Sequence, residues 1–203
     1  TGPVRQEFIP NRTTYCYPLS GRAGTRCHPT VSRDTSKAAL TKRRYTNDPR
    51  QLIVPSDWQF SQVLSGDALT GEGGGGETGI APSDTHIYMP AGFQPGWIYE
   101  VVYEARDPLV LGLGHVAVRD LISFLKYADT DAAGNPNPLA GTEKAYGWGR
   151  SQTGRCIRDF VYLGFNADAD GRKVFDGVLP HVSGGGLMWM NHRFANVVSA
   201  AGQ

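Results

Sequence analysis

From residue 97 onward the chain alternates between two hydrophobic periods, and this alternation limits its fold more than any other feature. Residues 97–105, Trp-Ile-Tyr-Glu-Val-Val-Tyr-Glu-Ala, are rich in β-branched and aromatic side chains and stop at Asp107-Pro108, the pattern of a strand. Beyond Gly112 and Gly114, the residues Val118, Leu121, Ile122 and Leu125 fall at i, i+3, i+4 and i+7 and predict a helix with one apolar face. Gly134-Asn135-Pro136-Asn137-Pro138 marks a loop. Residues 144–149 read as a short buried strand ending in a tight turn. Thr153, Cys156, Ile157, Phe160, Val161 and Gly164 then share one face of a second helix, and residues 173–179 read as a third strand. Strand, helix, strand, helix, strand implies parallel strands joined by right-handed crossovers. The expected class is therefore α/β with a mostly parallel sheet.

Residues 1–91 have a different texture. Short apolar runs at residues 4–9, 38–41 and 52–54 are broken by Pro, Gly, Asn and Asp, which predicts a β and loop-rich region with little helix. Its glycine-rich stretch, residues 71–79, lacks the Lys-Ser/Thr pair of a phosphate-binding loop and reads as a flexible loop. Cys16 and Cys27 bracket a turn-rich segment and either close a short disulfide loop or stay free; Cys156 reads as a small buried apolar residue of the second helix. Asn11-Arg12-Thr13 matches a glycosylation acceptor triplet, a pattern common by chance.

Charge excludes some functions. With 20 Lys+Arg against 19 Asp+Glu the net charge is +1, without the basic excess that nucleic-acid binding uses to displace counterions. No stretch reaches the roughly 18 apolar residues of a membrane span. Asn166-x-Asp168-x-Asp170-Gly171 imitates the first half of a calcium loop, but Gly177 stands where a bidentate Glu is needed, so it reads as an acidic turn. No Cys/His spacing suggests zinc, and no cofactor is expected.

The chemistry-bearing motif is Gly149-Arg150-Ser151-Gln152-Thr153-Gly154, at the junction of the second strand and second helix. A nucleophilic Oγ must project from a tight, strained turn, and glycines beside it leave room for the chain and the substrate. The helix starting there offers free backbone N–H groups and a partial positive charge to a developing oxyanion, with the Gln152 N–H as first donor. The spacing Gly-x-Ser-x-x-Gly also suits a plain serine N-cap. Predicted structure on both sides favours the nucleophile. Gly92-Phe93 and Gly112 to Gly114 are candidates for the second oxyanion donor. Trp148 and Met188-Trp189-Met190 are pocket walls or core residues.

Several of these segments, taken in order, resemble a poorly characterised and mostly bacterial group of α/β-hydrolase-domain proteins. They are Gly96-Trp97-Ile98-Tyr99-Glu100-Val101-Val102-Tyr103, Asp107-Pro108, Gly112-Leu113-Gly114, Val118-Arg119-Asp120, Gly149 to Arg155, Gly171-Arg172-Lys173-Val174-Phe175-Asp176-Gly177, Leu179-Pro180-His181 and Asn191-His192-Arg193-Phe194. The resemblance covers residues 92–196 well and residues 35–60 more loosely. It implies a partial α/β-hydrolase fold over residues 92–203 and a serine hydrolase acting on small carboxylic esters through an acyl-Ser151 intermediate.

The family's chain order places the acid and then a histidine well after the nucleophile. Only about fifty residues follow Ser151, so the late strands are expected to be missing and the chain to be cut short of its acid and histidine. A missing carboxyl-terminal segment or another chain is expected to complete the sheet. Of the five histidines, His181 is the most interesting, because it leaves its strand at the edge that carries Ser151. It is read as substrate-lining or auxiliary, as a base, or as an anchor for Ser183-Gly184-Gly185-Gly186. His192 has a weaker case. The competing functional class is a catalytically inactive scaffold that binds a partner.

Overall fold

The computed structural model describes residues 1–19, 27–64, 79–188 and 193–194 of the chain, in two compact units. The expected glycine-rich loop, apart from Gly79, and Trp189, Met190, Asn191 and His192 lie outside the described residues. No helix among the described residues is long and apolar enough to cross a membrane.

The first unit, Thr1–Leu109 with Arg193–Ser199, has eight strands among its described residues. These are β1 (Gly2–Phe8), β2 (Thr14–Pro18), β3 (Ala39–Arg43), β4 (Gln51–Ile53), β5 (Ser61–Val63), β6 (Ile80–Pro82), β7 (His86–Phe93) and β8 (Ile98–Ala105). The largest sheet has the order β1-β8-β3-β4, and all its pairings are antiparallel. Here the expectation of a mostly parallel sheet fails. The strand at residues 98–105 exists, but β1 and β3 pair with its two edges in antiparallel register, with Val101 opposite both Gln6 and Leu40. A strand buried on both faces of a parallel sheet reads as a continuous apolar run. In β8 the inward Tyr99, Val101, Tyr103 and Ala105 alternate with Glu100, Val102 and Glu104, the pattern of a sheet with one face on a core. That core gathers Phe8, Leu40, Trp58, Phe60, Ile87, Phe93, Tyr99, Val101 and Tyr103. On the other face Glu100 is buried under arginines: Arg50 Nε donates to it at 2.8 Å and Arg43 Nη1 at 3.4 Å.

The second unit, Val110–His192 with Ala200–Gln203, contains α1 (Leu113–Tyr127), β9 (Tyr146–Arg150), α2 (Gln152–Tyr162) and β10 (Gly177–His181). β9 and β10 pair in parallel with α2 as the crossover between them, the sole parallel pairing among the described strands. The third strand starts later than expected. β10 begins at Gly177, because Val174 and Phe175 are held in a turn by Asn166, whose carbonyl takes the Val174 N–H and whose Oδ1 takes the Phe175 N–H at 2.8 Å. Both side chains nonetheless enter a small core with Phe160, against which Ile122, Phe165 and Val178 pack.

The helix α1 forms where expected, but its buried face is not the expected one. Val118 and Leu121 are exposed, and His115 and Ser123 are buried instead. The reason is polar: the Ser123 hydroxyl donates to Asp168 at 2.5 Å, and Lys126 Nζ donates to Asp176 at 2.9 Å and to the Lys173 carbonyl at 3.0 Å. These bonds rotate the helix so that its hydrogen-bonding groups face the unit and part of its apolar stripe faces outward.

Candidate active site

β9 delivers Ser151 to the start of α2. Along β9 the side chains alternate, with Gly147 and Gly149 buried and Tyr146, Trp148 and Arg150 exposed. Absent side chains on the covered face let the helix and the next strand approach closely: a Cβ on Gly147 would lie 3.3 Å from Val178 Cγ1 and 3.6 Å from Ile157 Cδ1.

At the turn itself the two motif glycines are sterically required. A Cβ on Gly149 would sit 2.3 Å from the Thr153 carbonyl oxygen and 2.5 Å from its carbon. A Cβ on Gly154 would sit 2.8 Å from the His181 oxygen and 2.9 Å from the Gly149 oxygen. Between them Ser151 adopts φ 55° and ψ −117°, a left-handed conformation that costs a non-glycine residue roughly 1–3 kcal/mol. The surroundings that hold it there are visible. The Ser151 N–H donates to the His181 carbonyl at 3.0 Å, and the Ser151 carbonyl accepts the Arg155 N–H at 2.9 Å. Thr153 Oγ1 donates to the Arg150 carbonyl at 2.8 Å and accepts the Arg150 N–H at 2.9 Å.

The Ser151 side chain makes no capping bond to α2, so the plain N-cap reading of this serine is not realised. Ser151 is an exposed residue, and Gln152 opens the helix beside it. The backbone N–H groups of a first helical turn lack intrahelical partners, so the Gln152 N–H is available to an oxyanion.

His181 ends β10, directly opposite Arg150 in the parallel register. It therefore stands at the same carboxyl edge as Ser151, with its ring exposed and its carbonyl on the Ser151 amide. No hydrogen bond joins the Ser151 hydroxyl to a histidine among the described residues. Trp148, 63% exposed, pairs with Leu179 in the register and lies on the open face of β9–β10 with Tyr146, outside the core.

The segment after β10 is held by more contacts than its glycine-rich sequence announces. Val182 takes φ 43° and is 62% exposed. Beyond it, α2 fastens the glycine stretch: Arg158 Nη1 donates to the Gly184 carbonyl at 2.5 Å, Arg158 Nη2 to that of Gly186, and Asp159 Oδ2 accepts the Met188 N–H at 2.6 Å. Arginine and aspartate, not His181, anchor this loop. The signal available was charge on the second helix at positions 158 and 159, three to four residues after Arg155, where one side chain can cover a neighbouring turn.

Beneath the loop, Asp159 meets His115 and Cys156. His115 Nδ1 lies 3.9 Å from the Cys156 sulfur, and its ring packs against Phe160 and Phe165. Burial pushes the His115 imidazole below its ordinary pKa, against a smaller upward pull from the Asp159 charge. Burial and the same carboxylate both push the Cys156 thiol up, which makes it a poor nucleophile at neutral pH. His115 Nε2 and Asp159 Oδ1 are buried without a hydrogen-bond partner.

The remaining sequence candidates take structural places. Cys16 and Cys27 are free thiols directed at the Ser61 and Thr85 carbonyls, 3.8 and 3.9 Å away. The Asn166 to Gly171 stretch forms a turn in which Asp168 accepts from Ser123, from Arg172 Nε and from the Asp170 and Arg172 amides. These bonds, the Ser123 hydroxyl first, hold its carboxyl well below the usual range. No group of three or more metal-ligating side chains converges among the described residues.

A sharp strand-to-helix turn thus holds a strained, exposed serine between two glycines with no room for a side chain. Comparison with known proteins assigns the family. The profile of the alpha/beta hydrolase domain matches residues 87–201, more than half of the chain. No curated protein and no solved structure matches it. The matched region takes in the β9–α2–β10 crossover and its serine turn, and the chain belongs to the alpha/beta hydrolase domain family.

Proposed function

We propose that the protein is a serine hydrolase that cleaves small carboxylic esters through a covalent acyl-Ser151 intermediate. The observation that carries this reading is the left-handed backbone of Ser151 at the β9–α2 turn, with no room for a side chain at Gly149 or Gly154. Ser151 Oγ attacks the ester carbonyl carbon as its proton passes to a histidine base. The carbonyl electrons move onto oxygen, which the Gln152 N–H stabilises. Collapse expels the alcohol, which takes the proton back, and water then attacks the acyl-serine by the same route in reverse. In this reading His181, at the carboxyl end of β10, lines the substrate, supports the oxyanion or serves as base; His192 lies outside the described residues.

Among the described residues β9 and β10 form a sheet of two strands, and Tyr146, Trp148 and Leu179 are exposed on its face, which supports a further proposal that another segment or chain completes and covers this sheet. The second functional reading, an inactive scaffold that binds a partner, is favoured by one observation. The Ser151 hydroxyl hydrogen-bonds to no histidine among the described residues. Incubation with p-nitrophenyl acetate, acid quenching and mass spectrometry of peptides separates the two readings. The hydrolase reading expects an acetyl group on the peptide containing Ser151 and none in S151A. An unmodified peptide, with no release of nitrophenol above the S151A background, favours the scaffold.

A further inference from the structure

Thr153 is exposed, although its period places it on one face of α2 with Ile157 and Phe160, so packing does not hold it. Its hydroxyl is directed instead at the backbone of Arg150, three residues back. Oγ1 accepts the Arg150 N–H at 2.9 Å and donates to the Arg150 carbonyl at 2.8 Å. The strand pairing shows why Arg150 lacks other partners. In the parallel register His181 stands opposite Arg150, and its carbonyl takes the N–H of the next residue, Ser151. A residue in a parallel pair bonds to the neighbours of its opposite number, so the N–H and carbonyl of Arg150 itself face away from β10. No other strand among the described residues pairs with β9, and the Thr153 hydroxyl stands in for one.

The peptide between Arg150 and Ser151 is thereby gripped at both ends. Thr153 Oγ1 holds its carbonyl, and the His181 carbonyl holds its N–H. The following peptide is fixed by the helix: the Ser151 carbonyl accepts the Arg155 N–H at 2.9 Å, which turns the trans Gln152 N–H the opposite way, out of the helix start. With both planes set, the Ser151 backbone is held at φ 55° and ψ −117°, and its Cβ is fixed with it. A residue kept in this region relaxes once a constraint is removed, and an exposed side chain supplies one of the constraints.

We propose that Thr153 is a positioning residue of the Ser151 site: its hydroxyl, acting through the Arg150–Ser151 peptide, keeps Ser151 Oγ in the relation to the Gln152 N–H that attack on an ester carbonyl requires. The inference rests on Ser151 as nucleophile, and it requires no contact between Thr153 and substrate. Arg150 is exposed, so water takes over its two backbone groups when the hydroxyl is removed, and relief of the strained turn offsets part of the loss. Thr153 therefore acts on rate more than on stability.

The test compares T153V, T153A and T153S with the wild type by p-nitrophenyl acetate turnover, by the rate of fluorophosphonate labelling of Ser151 and by thermal melting. T153V keeps the branched shape without the hydroxyl, T153A removes both and suits a helix, and T153S keeps the hydroxyl. In T153V and T153A, kcat and the labelling rate are expected to fall roughly 10–100-fold, the scale of a misplaced reacting group, with KM within about twofold. The pH midpoint of kcat/KM stays where it is, and the melting temperature falls by less than about 5 °C. T153S is expected to stay within about threefold of the wild type. T153V or T153A at the wild-type rate, or T153S slowed as far as T153V, overturns the role of the hydroxyl while the labelled wild type leaves Ser151 standing. Loss of a cooperative melt in both T153V and T153A makes Thr153 a structural residue and overturns the role as well. A wild-type protein that neither labels nor turns over the ester overturns the Ser151 reading and this inference with it.

Discussion

The backbone amide of Ser151 donates to the carbonyl of His181 at 3.0 Å, which ties the end of β10 to the first residue of the β9–α2 turn. The bond exists because residue 154 has no side chain. A Cβ there would stand 2.8 Å from the His181 oxygen. One parallel strand pair thus carries both the serine and the edge on which His181 emerges.

Alanine at the two motif glycines should separate their roles. G149A brings a methyl to 2.3 Å from the Thr153 carbonyl oxygen, a backbone atom that cannot move without deforming α2. It is expected to cost about 3 kcal/mol or more, at the upper end of overpacking effects. G154A, whose closest contact is 2.8 Å, should cost less, about 1–2 kcal/mol, and should act on the Ser151–His181 bond. Urea denaturation of both variants at pH 7.5 measures the order. G154A less stable than G149A would contradict it.

Glu100 in the first unit is a sharper stability test. Its side chain is 6% exposed and is shared by Arg50, Arg43 and Arg5, while the Arg43 side chain is 5% exposed. The Arg50 hydrogen bonds, followed by these other charges, keep the Glu100 carboxyl below its ordinary pKa. Removing the negative charge leaves Arg43 buried with one fewer partner. E100Q is expected to lose about 3 kcal/mol, the range for breaking a buried pair. E100Q within 0.5 kcal/mol of wild type by urea titration, a threshold of about the size of a surface substitution, would show that the network is solvated.

Much of this geometry was legible in the residues, and what was not has a physical reason. Gly149, Ser151 and Gly154 announce the turn because strained backbone and close approach are local demands that only particular residues meet. The helices formed where their periods placed them. Strand pairing did not follow, because the partners of β8 lie far away in the chain: Glu100 meets Arg50 and Arg43 across 50 and 57 residues, and no local pattern encodes that. A reader weighing Glu100 and Glu104 within an otherwise apolar strand would have placed it in a sheet with one open face. The rotation of α1 was hidden because Ser123 and Lys126 look like solvent-facing residues until Asp168 and Asp176 are found opposite them.

His115 sets a pH dependence. Its imidazole is buried and held below the ordinary value, so the unfolded chain takes up a proton more readily than the folded unit. The stability this histidine contributes is complete above the free imidazole pKa of about 6.5 and is lost as pH falls from there through the lower folded-state value. His86, also shifted down by burial, adds to the same slope in the first unit. H115F removes the titrating group and the orphaned Nε2 and places a ring beside Phe160 and Phe165. Urea midpoints at pH 7.5 and 5.0 should therefore differ less in H115F than in wild type. An equal difference in the two proteins would mean that His115 does not drive the acid sensitivity.

The central claim is that Ser151 is an activated nucleophile, and labelling with a fluorophosphonate probe tests it most directly. The expected result is one probe per chain on the peptide that contains Ser151, no labelling after heat denaturation, and none in S151A. A native, folded protein that takes up no probe, or that labels equally in S151A, would contradict the account.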